Sequence, residues 1–148
     1  MRTRVRIARI LAGAIAFATV GLAAGISPAA ATDCASGGAC IWRDTSYMTG
    51  GSTAGRVRFA GYIPNYTLWN YNGTSSNAGS TATSASNEGV SQTATFWKQV
   101  KCGGVSSFSL AINTGDGNLG DSSGFAPGGF NDSLLSGSFS GAVASCRA

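Results

Sequence analysis

The stretch Thr95–Leu110 constrains the fold of this chain more than any other. Phe96, Lys98 and Val100 share one side of an extended segment, Gly103-Gly104 follows, and Phe108, Leu110 and Ile112 alternate with Ser107, Ser109, Ala111 and Asn113. Alternation on both sides of a glycine pair specifies strand, turn, strand, because glycine takes positive φ without steric cost. A looser copy lies upstream, where Cys40-Ile41-Trp42-Arg43 runs through Tyr47 to Gly50-Gly51 and on to Arg56-Val57-Arg58-Phe59.

Residues 1–31 read as a secretory signal peptide and not as part of the fold. Arg2, Arg4, Arg6 and Arg9 precede an apolar run from Ile10 to Ala24, and Ala29-Ala30-Ala31 offers a cleavage site before Thr32. The run is short and rich in alanine and glycine, below the roughly 20 strongly apolar residues of a membrane span. Removing 31 of 148 residues leaves 117, which fits one domain over 32–148. Four of the ten basic residues leave with the leader, so six remain against six acids and the mature chain is formally neutral. A neutral chain gives no reason to expect nucleic acid as a partner, or a membrane after cleavage.

All four cysteines, Cys34, Cys40, Cys102 and Cys146, lie in the mature chain. In a secreted protein an even count reads as disulfides, and three pairings are possible. Cys34–Cys40 closes a short glycine-rich loop and leaves Cys102–Cys146 to tie the central hairpin to the C-terminus. Chain entropy assigns these bridges roughly 2 and roughly 4 kcal/mol as upper figures.

The rest of the chain reads as short strands and turns. Met48 to Gly55 is a glycine-rich turn, Arg56–Tyr62 a strand, Tyr66–Tyr71 an aromatic β-prone run, and Asn72–Ser86 a solvated low-complexity loop. Asn113–Gly129 is a second long loop, and the last strand is expected over Ser136–Ser145. Many short strands with glycine turns and no helical periodicity indicate an antiparallel sandwich or barrel.

Catalysis finds little support in this composition. The chain has no histidine, which excludes Ser-His-Asp and Cys-His chemistry and histidine-ligated zinc. Gly120-Asp121-Ser122-Ser123-Gly124 looks like a nucleophile loop only superficially and reads as a turn. Asp33, Asp44, Glu88, Asp116, Asp121 and Asp132 are scattered over expected turns, with no convergent pair for glycoside hydrolysis. The expectation is that the protein is not an enzyme. A stacking face for carbohydrate could come from Trp42, Trp69, Tyr66, Tyr71 and Trp97. Trp42 and Trp97 read as core, and Trp69 with Tyr71 as the surface candidates, on the strand face opposite Tyr66 and Leu68.

Trp97-x4-Cys102-x-Gly104 has the spacing that opens a βγ-crystallin Greek-key motif, with cysteine in place of the second aromatic. Trp42-x4-Tyr47 keeps both aromatics, and Gly50 arrives one position late. The N/D-N/D-x-x-S/T-S turn of such motifs is echoed by Asn87–Gln92 and by Asn131–Ser136. In these motifs, their order and its leader, the span Ala39–Cys146 resembles the secreted bacterial peptidase inhibitors of the Streptomyces metalloproteinase inhibitor type. That resemblance implies an all-β, βγ-crystallin-like double Greek-key sandwich, disulfide-stapled and monomeric, acting outside the cell on an extracellular peptidase. The implied inhibitory loop is Lys101, Cys102, Gly103, Gly104 and Val105. One departure stands out: in the inhibitor that typifies the family a local second disulfide closes this loop, whereas here the second pair spans Cys102 to Cys146.

Calcium is the other implication. In calcium-binding crystallin domains each site joins the turn of one motif to an acidic residue beside the first aromatic of the other. Those positions here are Arg43 and Lys98, both basic, and Leu135 stands where the second turn's hydroxyl ligand is expected. What is left is at most one weak calcium site, built from Asn87, Glu88 and Ser91 with Asp44; no cofactor is required. An extracellular calcium-binding or carbohydrate/cell-wall-binding module without inhibitory activity is the alternative function.

Overall fold

The computed structural model describes residues 34–47 and 55–148. The expected leader, nearly all of the expected Met48–Gly55 turn and Gly50 of the first motif lie outside the described residues. Eight short strands carry the fold: β1 (Ala39–Trp42), β2 (Arg56–Phe59), β3 (Tyr62–Ile63), β4 (Ser84–Asn87), β5 (Ala94–Trp97), β6 (Ser107–Leu110), β7 (Thr114–Asp116) and β8 (Ser136–Phe139). They form two antiparallel four-stranded sheets, ordered β2-β1-β4-β7 and β3-β8-β5-β6. Each sheet therefore holds three strands of one motif and the third strand of the other. Only Ala60 and Gly61 separate β2 from β3, yet the two lie in different sheets. This exchange makes the two motifs one folding unit.

The expected hairpin forms, but its alternation is shorter than expected: β5 ends at Trp97 and β6 at Leu110, and Val100 and Ile112 are exposed. Phe96 lies opposite Phe108, and Ala94 opposite Leu110. Phe96, Phe108 and Leu110 are buried, while Ser109 points to solvent and shares a hydroxyl hydrogen bond with Thr95 at 2.8 Å. Between the sheets the aromatic rings interlock: Phe96 stacks on Phe108 at 5.2 Å, Phe59 meets Phe96 and Phe139, and Phe130 closes on Phe108 at 5.0 Å. Ring pairs in these geometries add about 0.5–1.5 kcal/mol each beyond their area burial. A glycine is required at position 137, opposite Phe96, because a Cβ there would strike the Tyr66 hydroxyl and the Phe59 ring.

Five expectations of local structure are corrected: Arg56–Tyr62 is split into β2 and β3, Asn113–Gly129 contains β7, and three further segments differ. Tyr66–Tyr71 is not a strand: Tyr66–Leu68 is a 3₁₀ turn capped by Asn65, whose Oδ1 accepts from the Thr67 amide and hydroxyl at 2.9 and 2.8 Å. The turn shifts the side-chain phase, so Tyr66 and Tyr71 are buried and Leu68 and Trp69 face solvent. Within Asn72–Ser86, residues 72–77 are largely exposed as expected, but Ala78 and Ala82 are fully buried and the last residues form β4, so the second part is packed and not a solvated loop. The last strand stops at Phe139, and the chain continues as a 3₁₀ turn and α1 (Val143–Arg147), which carries Cys146 back to the hairpin.

Both disulfides form as Cys34–Cys40 and Cys102–Cys146. Each packs on the tryptophan of its own motif, the first on Trp42 and the second on Trp97.

Candidate functional site

The two folded hairpins are superimposable in their bonding. In the first, the buried Ser84 hydroxyl accepts from the Tyr47 amide at 3.2 Å and donates to the Asp44 carbonyl at 2.7 Å. In the second, the buried Ser136 hydroxyl accepts from the Cys102 amide at 3.0 Å and donates to the Gln99 carbonyl at 2.5 Å. Ser46 and Tyr47 hold positive φ in one corner, and Lys101 and Cys102 do so in the other. The tip's extra curvature thus comes from two non-glycine residues, a strained arrangement held by the serine clasp. Gly104 supplies positive φ as expected, at +74°.

The cysteine at the second corner has a structural explanation. Tyr47 packs edge-on against Trp42 at 5.2 Å, and the disulfide of Cys102 occupies the matching place against Trp97. A covalent bridge thus replaces the second aromatic and still covers the tryptophan.

The bonding also relocates the first turn. Ser80 donates its amide to the Leu134 carbonyl at 3.0 Å, and Asp132 donates its amide to the Ala82 carbonyl at 2.9 Å. Ser80 and Asp132 share positive φ, at 54° and 52°. Residues 79–84 are therefore the partner of Asn131–Ser136, and the two turns clasp each other across a local pseudo-two-fold axis. Asn87–Gln92 instead joins the motifs: the Asn87 carboxamide donates to Gln92 O and Leu110 O and accepts from Gly89 N.

This geometry separates the residues expected to bind calcium. β1 and β4 run antiparallel with Trp42 opposite Ser84 and Ala39 opposite Asn87, so Asp44 and Asn87 lie beyond opposite ends of the ladder. Asp44 is paired with Arg43 at 3.1 Å. The Glu88 backbone pairs with Gly37 and Gly38, and Ser91 is exposed on the linker. Lys98 donates to Gly129 O at 2.7 Å and lies over the Phe130 ring. Among the described residues no three His, Cys, Asp or Glu side chains cluster to hold a metal.

The expected inhibitory loop is divided between core and surface. Cys102 is fully buried, and its carbonyl accepts from Arg147 Nε at 3.1 Å. Lys101 donates its amide to Pro64 O at 2.6 Å and its ammonium to the Ala148 carbonyl at 3.0 Å. Gly103 is half-buried, Gly104 is exposed against the Gln99 side chain, and Val105 is fully exposed at 102%.

A further feature was not legible in the sequence. Asp116, 2% exposed, accepts from Asn118 N at 3.0 Å and Ala126 N at 2.7 Å and so braces the loop that presents Phe125. Only its place in the β7 register, behind Gly124, identifies that role.

Fold and hairpin geometry together define a βγ-crystallin-like fold. The structural neighbours agree. A βγ-crystallin from Ciona intestinalis is similar at TM-score 0.50 and 15% identity, over 69% of this chain and 98% of that one. A structure described under the evolution of the eye lens βγ-crystallin domain fold is similar at TM-score 0.53 and 13% identity, over 72% of this chain and 87% of that one. No family model and no curated protein sequence matches the chain.

Proposed function

We propose that this domain is a secreted, monomeric inhibitor of an extracellular peptidase, with Val105 as the side chain that enters the protease's specificity pocket. The observation that carries the reading is the pairing of full exposure at Val105 with rigid anchorage three residues earlier at Cys102. A loop that binds like a substrate gains affinity when it is ordered beforehand, because little conformational entropy remains to be lost. The Cys102–Cys146 bridge, the Ser136 hydroxyl and Arg147 supply that order from three sides. Gly103 and Gly104 leave the backbone bare, so an enzyme's edge strand can approach it closely. The reading requires no cofactor and no catalytic residue of this chain.

The test is a titration of thermolysin-type metalloproteases, with serine proteases as controls, using the chain from Thr32 onward. Stoichiometric inhibition that Val105→Asp abolishes is the expected result. Val105 is exposed, so the variant folds and the loss is read at the interface. No inhibition at micromolar protein, or full potency of Val105→Asp, overturns the reading.

A further inference from the structure

A groove of about 420 Å³ lies along β2, whose outer edge pairs with no other strand among the described residues. It is lined by Arg56, Val57, Arg58, Trp69, Asn70 and Asn72. From this groove we infer a binding site for an acidic saccharide, with Trp69 as the stacking platform and the two arginines as carboxylate receptors.

The walls are built before any ligand arrives. β2 is an edge strand, and Asn72 covers only its start, donating its amide to Arg56 O at 2.8 Å and accepting from Gly55 N at 3.2 Å. The 69–78 segment is itself a small hairpin: Ala78 N donates to Trp69 O, Tyr71 N donates to Ser76 O, and Asn70 bridges Asn77. Buried Tyr71 and Ala78 root that hairpin in the core, so Trp69 is held at 48% exposure on a fixed support. An aromatic ring so placed offers an apolar face to a flat ligand at little entropic cost.

The polar groups set the chemistry of the ligand. Arg58 is pinned by hydrogen bonds from Nε to Ala35 O and from Nη2 to Ser36 O, with its guanidinium lying on Gly38. Arg56 lines the same groove; its Nη1 is shielded from solvent and has no acceptor among the described residues, so a ligand would meet the other guanidinium nitrogens. The lining contains two cations and no acid, although the mature chain is formally neutral. Two guanidiniums beside a tryptophan select a planar carboxylate joined to a ring with an apolar face, and the carboxamides of Asn70 and Asn72 suit vicinal hydroxyls. A uronate-bearing oligosaccharide has all three features. A polyphosphate or nucleic acid backbone satisfies the charge alone.

Tryptophan emission reports this groove directly, since Trp42 and Trp97 are 0% and 5% exposed. The mature chain would be titrated with trigalacturonate and with a hyaluronan tetrasaccharide, using fluorescence and calorimetry. Methyl-esterified trigalacturonate removes the charge on the same skeleton, and tripolyphosphate supplies charge without a sugar. Expected are a saturable emission shift with the two uronates and a loss of about tenfold or more on esterification. A similar calorimetric loss is expected in Trp69→Ala and in Arg58→Gln, each with an unchanged circular dichroism spectrum. Peptidase inhibition by Trp69→Ala should stay at the parent level, which separates this site from the Val105 hairpin. Four results would overturn the inference: no binding of either uronate at millimolar concentration, equal binding of the ester, equal binding of tripolyphosphate, or undiminished binding by Trp69→Ala.

Discussion

Replacing Ser136 by alanine tests the central physical claim, that one buried hydroxyl holds a strained corner closed. The hydroxyl accepts from Cys102 N at 3.0 Å and donates to Gln99 O at 2.5 Å. Cys102 is fully buried, so its amide would be left without a partner, which costs about 1–3 kcal/mol. Gln99 is exposed, so its carbonyl regains water and only the net bond of about 0.5–1.5 kcal/mol is lost. Together the change is about 2–4 kcal/mol, which lowers Tm by about 8–20 °C in a domain of this size. Thermal unfolding followed by circular dichroism measures it, with exposed Ser140→Ala as a control expected within about 1 °C. Ser84→Ala should cost a similar amount, because it removes the equivalent bonds to Tyr47 N and Asp44 O. A Tm loss below about 2 °C for Ser136→Ala refutes the reasoning. It would mean that the corner's positive-φ residues are stable without the clasp.

Gly104→Ala should lower stability by about 1–2 kcal/mol in urea titration, because φ is +74° and the new methyl would meet the Gln99 amide at 2.6 Å. Cys102→Ser with Cys146→Ser should cost up to about 4 kcal/mol, and thiol reduction of the parent, which also opens Cys34–Cys40, should lower Tm by at least as much. Asp116→Ala frees the Asn118 and Ala126 amides, so limited proteolysis should cut between residues 118 and 129 in the variant well before the parent is cut. At alkaline pH, burial pushes the Tyr47 and Tyr71 hydroxyls up to about 12 from the ordinary phenol value of 10.0, so the folded state keeps protons that the unfolded state loses. Their contribution to stability is complete below pH 10 and disappears as pH rises toward 12. Tm should therefore fall across that window, together with the rise of phenolate absorbance.

The two turns show how far local pattern reaches. Asn131–Ser136 carries the motif's letters and is found where they place it. Its partner over residues 79–84 reads Gly-Ser-Thr-Ala-Thr-Ser, with no Asn or Asp, inside a run that looks like solvated low-complexity chain. Asn87–Gln92 keeps the leading Asn and the Ser at the fifth position, yet serves as a linker. Spacing from the leading tryptophan was the usable signal, since Trp42 precedes Ser84 by about as many residues as Trp97 precedes Ser136. Composition outweighed that signal because serine is an uncommon choice at positive φ, and Ser80 adopts it only with its amide bonded to Leu134 O.

Among the candidate sites, exposure decided what the letters could not. Tyr71 and Trp69 share a period-two face on paper, yet one Asn65-capped 3₁₀ turn sends Tyr71 into the core and leaves Trp69 outside. Asp44 and Asn87 are compatible as ligands in type, and an antiparallel register sets them apart.

What the sequence by itself determined is local and periodic: the alternating strands, the leading tryptophans, the glycine turns, and cysteines matched to a short loop and a long one. Each depends on neighbours within a few residues, where backbone sterics and side-chain alternation act directly. Tertiary structure alone decided which turn clasps which, that β3 and β7 change sheets, and that Val105 is exposed while Cys102 is buried. Those outcomes depend on hydrogen bonds between residues about 34–54 positions apart, which no local preference encodes.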